Sequence, residues 1–324
     1  MRVVSLDEIR PILENKADVL EAVKQGFVQH SGGHINMPDP VQLIFGGAGN
    51  PILGDCHIKT ASSSALPYFC VKVASGFYQN PAKGLPVNNG MVMLFSSETG
   101  QPLALFQDDG HMTSVRTAAA GALSASLAPA KHSVCLGIIG TGHQAEMQAR
   151  WISECCNVSQ ICLWGRSPEK ASALKDRLDD LNLPIDTVST VADLCAGSNV
   201  IVTTTPSTSP ILFGKDVADG QHIIAVGSDS PGKIELDPAI LAKADIIIID
   251  DQQQCLNHGE FGHAVRAGLV AEDAHRSLGQ LLGDSNADQI GPDSLSVVDL
   301  TGLGAQDLAL ASFVYENLDE QSAA

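Results

Sequence analysis

The sequence predicts an α/β protein in which residues 122–302 form a doubly wound parallel sheet and residues 1–121 form an N-terminal α+β part. After Pro129, apolar strand-like runs alternate with amphipathic segments, which is typical of a parallel sheet covered by helices. Before residue 110 the apolar runs are short and are broken by glycine, proline and asparagine, which favours a strand-rich domain. The length of 324 residues is enough for about two domains with buried cores.

The N-terminal part begins with helices and continues with strands. Residues 5–30 have helical spacing of apolar side chains, and Ser5 followed by Glu8 predicts a capping box. An alanine-rich stretch predicts a helix over residues 112–128. Between these helices we expect strands at residues 41–45, 68–74, 90–95 and 103–107.

The second part has a regular rhythm of buried strands and helices. The last predicted helix, at about residues 305–318, follows the final strand, and we expect the segment 303–324 to return to the N-terminal part. The predicted strands are residues 134–139, 160–164, 199–204, 222–226, 244–250 and 295–299.

The chain is acidic, with a formal charge of −18, and residues 121–324 carry −16 of it. Nucleic acids and anionic membrane surfaces are bound by clustered lysine and arginine, so the charge excludes both as partners. No apolar run reaches the roughly 18 residues of a membrane-spanning helix, and the N-terminus has acidic Asp7 and Glu8 where a signal peptide is apolar. We expect a cytoplasmic protein.

The eight cysteines mostly lie inside apolar segments without zinc-type spacing, which predicts small buried side chains. For the adjacent pair Cys155-Cys156, a redox role is the alternative to packing. No metal site is predicted, because the histidines do not form a ligand spacing on a convincing element. These histidines are His57, His111, His143, His258 and His263.

A glycine-rich turn gives the strongest local signal. The sequence Gly140-Thr141-Gly142-His143-Gln144-Ala145 ends a predicted strand and opens a predicted helix. That context matches a Rossmann-type dinucleotide site, in which the first glycine permits the tight turn and the second lets a pyrophosphate approach the helix N-terminus. An ordinary glycine-rich turn between strand and helix is the alternative.

The next strand bears on which dinucleotide is bound. NAD sites commonly place a carboxylate about 20 residues after the turn, whereas NADP sites use arginine near the 2′-phosphate. Here the strand ends in Trp164-Gly165-Arg166-Ser167, with no carboxylate between Glu154 and Glu169. NADP(H) is therefore favoured, and NAD(H) stays open. For Arg166 itself, the alternative is a solvated surface residue. The strand ends at Thr204 and at Val226-Gly227 complete the predicted cofactor-binding residues.

Two cationic residues stand in apolar surroundings of the N-terminal part. Lys72 lies in Phe69-Cys-Val-Lys72-Val-Ala, and Arg116 is the first arginine after residue 10. A carboxylate bound in this part therefore has few partners to choose from. A lysine at a sheet edge and an arginine in an ion pair explain the same residues equally well.

Motifs that are spread in order over nearly the whole chain resemble those of the ornithine cyclodeaminase/μ-crystallin family, which also includes ketimine reductases and one group of alanine dehydrogenases. The motifs are Val71-Lys72-Val73, Asn80-Pro with Gly84-Leu-Pro86, Thr99-Gly-Gln-Pro-Leu-Ala-Leu, Thr113-Ser-Val-Arg116-Thr-Ala-Ala, Gly140-Thr-Gly142, Thr203-Thr-Thr-Pro-Ser207, Ala225-Val-Gly-Ser-Asp229-Ser-Pro-Gly-Lys-Ile-Glu235 and Asp299-Leu-Thr-Gly302.

The resemblance implies specific roles. Lys72 and Arg116 would hold the substrate, and Asp229 would act as the acid/base group at the substrate nitrogen. Asp229 also follows a predicted strand, where open α/β sheets bind ligands. By itself it is better explained as a turn or capping aspartate before Pro231, and the resemblance reverses that order. The resemblance further implies a homodimer built by the N-terminal part together with the C-terminal helix.

One departure from the family matters for the substrate. Many members have an arginine shortly after a Met-Pro motif, but here Met37-Pro38 is followed by Asp-Pro-Val-Gln. Either Lys59 replaces that arginine as a substrate-binding residue, or Arg116 and Lys72 hold the carboxylate alone. The segment Asn257-His-Gly-Glu260-Phe-Gly matches a family motif for which the sequence suggests no role.

The expected function is an NAD(P)H-dependent imine reductase or amino-acid dehydrogenase that acts at the C–N bond of a small α-imino or α-amino acid. Reduction of Δ1-pyrroline-2-carboxylate to proline is one such reaction. The alternatives are a redox-neutral cyclodeaminase of the ornithine type, which uses NAD+ and releases ammonia, and a non-catalytic NADPH-binding protein like the crystallins. The presence of both Lys72 and Asp229 argues against a pure binder.

Overall fold

The computed structural model describes residues 1–47, 50–77, 79–129, 133–284 and 290–318, apart from the side chains of residues 50, 51 and 81. The chain divides into two compact units. The first unit is Met1–Arg116 with Leu303–Ala324, and the second unit is Thr117–Gly302. The sequence predicts a boundary after residue 121, five residues later. Both positions lie inside one helix, so no change of composition marks the division.

The first unit is built on a seven-stranded sheet in the order β1-β7-β6-β5-β4-β2, with β3 paired to β4. Only β1 and β7 run parallel, and the other pairs are antiparallel. The strands are β1 (Arg2–Ser5), β2 (Ile35–Asn36), β3 (Val41–Gly47), β4 (Asn50–Ser63), β5 (Tyr68–Gly76), β6 (Asn88–Ser96) and β7 (Pro102–Gln107). The helices that accompany them are α1 (Leu6–Leu13) and α2 (Lys16–Ser31), with a short 3-10 helix at Asn80–Lys83. Helix α3 (His111–Ala125) begins in the first unit and continues into the second at Thr117.

The second unit contains an eight-stranded parallel sheet in the order β10-β9-β8-β11-β13-β17-β15-β16, and a separate parallel pair β12-β14. Its strands are β8 (Val134–Ile139), β9 (Val158–Trp164), β10 (Ile185–Thr187), β11 (Val200–Thr203), β12 (Thr208–Leu212), β13 (His222–Ala225), β14 (Ile234–Leu236), β15 (Ile246–Ile249), β16 (Arg276–Ser277) and β17 (Ser296–Asp299). Its helices are α4 (His143–Cys155), α5 (Pro168–Arg177), α6 (Val191–Ala196), α7 (Pro238–Lys243), α8 (Gln252–His258), α9 (Glu260–Arg266) and α10 (Leu278–Gly283), with a 3-10 helix at Asp179–Leu181.

The doubly wound architecture predicted from the sequence is confirmed, including all six predicted parallel strands. Their side chains are buried on both faces, and Ile138, Ile201, Ile223 and Val297 are fully buried, as expected for a parallel sheet covered by helices. The chain leaves β8 toward β9 on one side and returns to β11 on the other. The carboxyl edge of β8 and β11 is therefore the switch point at which such sheets bind ligands.

The chain re-enters the first unit through α11 (Gly304–Glu316), which packs on α2, β4 and β5. The first residue of this helix, Gly304, lies close to the backbone of β4, because a Cβ atom on Gly304 would lie 2.8 Å from the Thr60 carbonyl oxygen. The structure describes the C-terminal segment up to residue 318; residues 319–324 lie outside the described part, as does Tyr78.

The helices predicted over residues 5–30 are α1 and α2. Glu8 accepts from both the Ser5 amide and the Ser5 hydroxyl at 2.9 and 2.8 Å, in agreement with the predicted capping interaction. All eight cysteines are free thiols, and five of them are buried. Burial raises the pKa of Cys156 to about 11, so this thiol is not activated as a thiolate. In the part of the chain that the structure describes, no helix is long and apolar enough to cross a membrane.

Candidate active site

The glycine-rich turn after β8 has the local geometry that the sequence predicts. Gly140 has a φ of +133°, and a Cβ atom there would lie 2.3 Å from Thr204 Oγ1, so only glycine fits. A Cβ atom on Gly142 would meet no atom within 4 Å, which leaves room for a bound group beside the backbone. His143, Gln144 and Ala145 form the first turn of α4, whose N–H groups and dipole favour an anion such as a pyrophosphate.

The turns after β8 and β9 lie against each other, since a Cβ atom on Gly165 would be 2.4 Å from Thr141 Cγ2. Arg166 is exposed directly beyond β9, where the sequence predicts a contact with the 2′-phosphate. The Ser167 hydroxyl is used differently, because it caps α5 by accepting from the Lys170 amide and donates to Glu169 at 2.6 Å. Ser167 therefore has a structural task besides its predicted cofactor role.

The loops after β11 and β13 continue the same edge of the sheet. The Thr204 amide donates to the Ile139 carbonyl at 2.9 Å, and the Val226 amide donates to the Thr203 carbonyl at 3.0 Å. A Cβ atom on Gly227 would lie 2.2 Å from the Thr205 carbonyl oxygen. The predicted cofactor residues from the turn and from these two loops thus lie side by side at the switch point.

Asp229 lies in the loop between β13 and β14, and its side chain is about half exposed. Its Oδ1 accepts from Lys233 Nζ at 2.6 Å and from the Ser230 hydroxyl at 2.9 Å. Lys233 was not among the residues predicted from the sequence, although its position four residues after Asp229 in the quoted motif is a usable signal.

The cationic residues of the first unit gather around a carboxylate that sequence reasoning missed. Lys72 Nζ lies 2.8 Å from Asp307 Oδ2, and Arg116 Nε lies 3.1 Å from Asp307 Oδ1. Arg116 also donates to Gln306 Oε1 at 3.4 Å. Both Asp307 and Gln306 lie in the first turns of α11 and are almost fully buried. Their separation from Arg116 by about 190 residues hides the contact from any local pattern.

Lys59 belongs to the same cluster. It lies directly opposite Lys72 in the β4–β5 pair and is only 6% exposed. Like charges at directly opposite positions destabilise a sheet, and Asp307 offsets that repulsion. The structure therefore brings Lys59, Lys72 and Arg116 together within one unit, and Arg116 makes the ion pair that was its alternative interpretation from the sequence.

The charged groups in this cluster shift each other's pKa values. Burial alone raises the pKa of the Asp307 carboxyl, but Lys72 and Arg116 outweigh burial and hold the pKa below its ordinary value. Burial lowers the pKa of Lys72, the charge of Arg116 lowers it further, and Asp307 opposes both. Two of the five N–H donors of Arg116 serve Asp307 and Gln306, so the guanidinium keeps donor capacity for a further carboxylate.

The sheet order, the turn after β8 and the loops at the switch point define a protein of the doubly wound, dinucleotide-binding class. Residues 3–322 match the model of the ornithine cyclodeaminase/mu-crystallin family, and the chain belongs to this family. The resemblance inferred from the motifs is thereby confirmed.

Similar proteins include one known by sequence and two with solved structures. An uncharacterized cyclodeaminase of Sinorhizobium fredii is 34% identical over 100% of this chain and 97% of its own length. An archaeal alanine dehydrogenase dimer with bound NAD is 31% identical, covers 99% and 97% of the two chains, and has a TM-score of 0.89. The iminosuccinate reductase of Paracoccus denitrificans, in complex with NAD+, is 31% identical over 100% and 97% of the chains with a TM-score of 0.88. With such relatives, the chain is an enzyme of the oxidoreductase class.

Proposed function

We propose that this enzyme reduces the C=N bond of a small α-imino acid with a nicotinamide cofactor, or runs the reverse oxidation of an α-amino acid. The observation that carries the proposal is the buried cluster of Lys59, Lys72 and Arg116 around Asp307. Buried cations are costly unless they meet anions. Asp307 supplies one carboxylate to these three cations, and a substrate carboxylate bound to Arg116 and Lys72 would supply a second, with the adjacent C=N bond left to react.

The residues of the second unit fit the cofactor. Gly140 and Gly142 leave its pyrophosphate access to the first turn of α4, and Arg166 is exposed where the adenosine ribose is bound in this class of sheet. When bound, the nicotinamide supplies the hydride for the carbon of the C=N bond. Asp229 donates the proton that the nitrogen gains, while Arg116 orients the substrate by its carboxylate and Lys72 adds positive charge.

A substrate panel tests the proposal. The enzyme is assayed with NADPH and with NADH on Δ1-pyrroline-2-carboxylate and on pyruvate with ammonia or methylamine, and with NAD+ on ornithine and lysine. Net cofactor oxidation with an imine supports the proposal. Proline formed from ornithine with release of ammonia and no net cofactor turnover would identify a cyclodeaminase instead, and cofactor binding without turnover of any substrate would identify a binding protein.

We further propose that NADP(H) is the preferred cofactor and NAD(H) the alternative. Replacing Arg166 by alanine should raise the KM for NADPH by roughly tenfold to a hundredfold, the cost of lost charge-assisted hydrogen bonds, and should change the KM for NADH less than twofold. Lys170→Ala, which removes an exposed cation four residues away, is the matched control. Equal effects of Arg166→Ala on both cofactors would contradict the preference.

A homodimer is part of the same proposal. The β3–β4 hairpin exposes a group of large apolar side chains, with Ile44 and Ile52 each 58% exposed; the others are Val41, Leu43, Phe45 and Leu53. Such a patch on a paired hairpin marks a protein interface. Ile44→Glu should shift the protein from dimer to monomer in analytical ultracentrifugation. Val3→Glu, which changes an equally exposed side chain on the opposite edge strand β1, should leave the dimer intact, and a dimer in both variants would count against this interface.

A further inference from the structure

Glu235 on β14 is a fully buried carboxylate that joins the two loops at the switch point. It accepts from the Thr205 amide at 2.5 Å, from the Gly227 amide at 2.8 Å and from the Thr203 hydroxyl at 2.6 Å. Thr203 ends β11, and Gly227 follows β13. The backbone after both strands is therefore held by one side chain, at the edge where the proposed cofactor site lies.

Glu260 in turn holds the strand that carries Glu235. Its Oε1 accepts from the Glu235 amide at 2.7 Å and its Oε2 from the Leu236 amide at 3.2 Å, and its side chain is 1% exposed. One helical turn later, His263 Nε2 lies 2.9 Å from the Lys233 carbonyl oxygen, as a neutral ring donating its N–H would. The segment between Asp229 and Glu235 is thus anchored at its end by two side chains of α9.

The start of α9 is fixed as well. The Phe261 amide donates to Asp299 Oδ2 at 2.9 Å, and a Cβ atom on Gly259 would lie 2.3 Å from that same oxygen. Only glycine at position 259 lets the helix begin so close to β17. This geometry accounts for the Gly259-Glu260 motif, for which the sequence suggests no role.

We infer that Glu260 is a positioning residue for the reaction, which acts through β14 and Glu235 to hold the Asp229 loop and the backbone of Thr205 and Gly227 in their reactive arrangement. The inference rests on the proposed function. Burial raises the pKa of both carboxyls. Placing two neighbouring acids in a core therefore costs folding free energy. Packing alone would be served by apolar side chains; the directional hydrogen bonds of carboxylates fix a loop.

The test compares Glu260→Gln with a control at the other end of the sheet. In Glu260→Gln one of the two backbone amides faces an NH2 group and loses its acceptor. We expect kcat at saturating substrate to fall at least tenfold. The KM for NADPH should change by a smaller factor, because Gly227 is one of the proposed cofactor residues whereas the turn at Gly140–Ala145 and Arg166 are untouched. The control, Gln221→Leu, removes a buried side chain that bonds Ala218, Cys195 and Ser198; it should lose thermal stability and keep kcat within twofold.

A second variant and a hydrogen-exchange measurement test the anchoring by α9 separately. His263→Phe removes only the contact with Lys233 and should lower kcat about threefold. This variant tests the inference in place of Glu260→Gln if the latter does not fold. Amide hydrogen exchange over residues 227–236 should be faster in both α9 variants and unchanged in Gln221→Leu. Unchanged exchange there, or a kcat loss matched by the control, would overturn the inference. If wild-type protein turns over no imine or amine, the proposed function fails, whereas the exchange measurement still tests the anchoring.

Discussion

Replacing Asp229 by asparagine is expected to lower kcat for imine reduction by about two to four orders of magnitude, the usual contribution of a positioned acid or base. Asparagine keeps the size and the acceptor oxygen of the side chain but cannot hold a transferable proton. Because the Asp229–Lys233 ion pair is half exposed on the aspartate side, its loss should cost little stability. Steady-state kinetics with saturating cofactor and substrate measure the effect.

Two controls separate chemistry from binding and folding. The Kd for NADPH, measured by fluorescence titration, should change little in Asp229→Asn because its affinity is assigned to the turn after β8 and to Arg166. Asp245→Asn alters an exposed aspartate that accepts from the Leu295 amide at 2.9 Å at the amino edge of the same sheet, and it should keep wild-type turnover. A kcat for Asp229→Asn within threefold of wild type on every substrate would refute the acid/base assignment.

Replacing Asp307 by alanine is expected to destabilise the first unit by about 3–5 kcal/mol, the usual cost of leaving a buried ion without its partner. Lys72 is 2% and Arg116 7% exposed, so water cannot replace the lost carboxylate. The measurement is the shift of the first unit's transition in a calorimetric scan. A two-state treatment of the whole chain does not apply to a protein with two units.

A double variant distinguishes charge from packing in this cluster. Adding Lys72→Met to Asp307→Ala removes one of the uncompensated cations and should recover part of the lost stability. Asp219→Ala removes an exposed partner that lies 3.8 Å from Lys243, and it should be nearly neutral. If Asp307→Ala is as mild as Asp219→Ala, or the double variant is worse than additive, the buried ion cluster does not stabilise the unit as argued.

Local patterns were sufficient to predict the structure of the sheet edge at which the cofactor is proposed to bind. The turn at Gly140–Ala145 was predictable because the glycines, the preceding strand and the following helix are contiguous in sequence, and the six parallel strands stand out as apolar runs. Three-residue β14 was not predictable, because Ile-Glu-Leu is too short for its apolar–polar alternation to indicate a strand. These residues form a strand because they pair with β12 and because their amides bond to Glu260.

The fold class and the family could be predicted from the sequence alone, since both depend on periodicity and on short motifs whose geometry is local. The balance of buried charges became visible only in the folded structure. Asp307 is joined to Lys72 and Arg116 across most of the chain length, and Glu260 is joined to β14 across 25 residues. Such contacts depend on where folding brings distant elements, and the low-dielectric interior makes their pairing decisive.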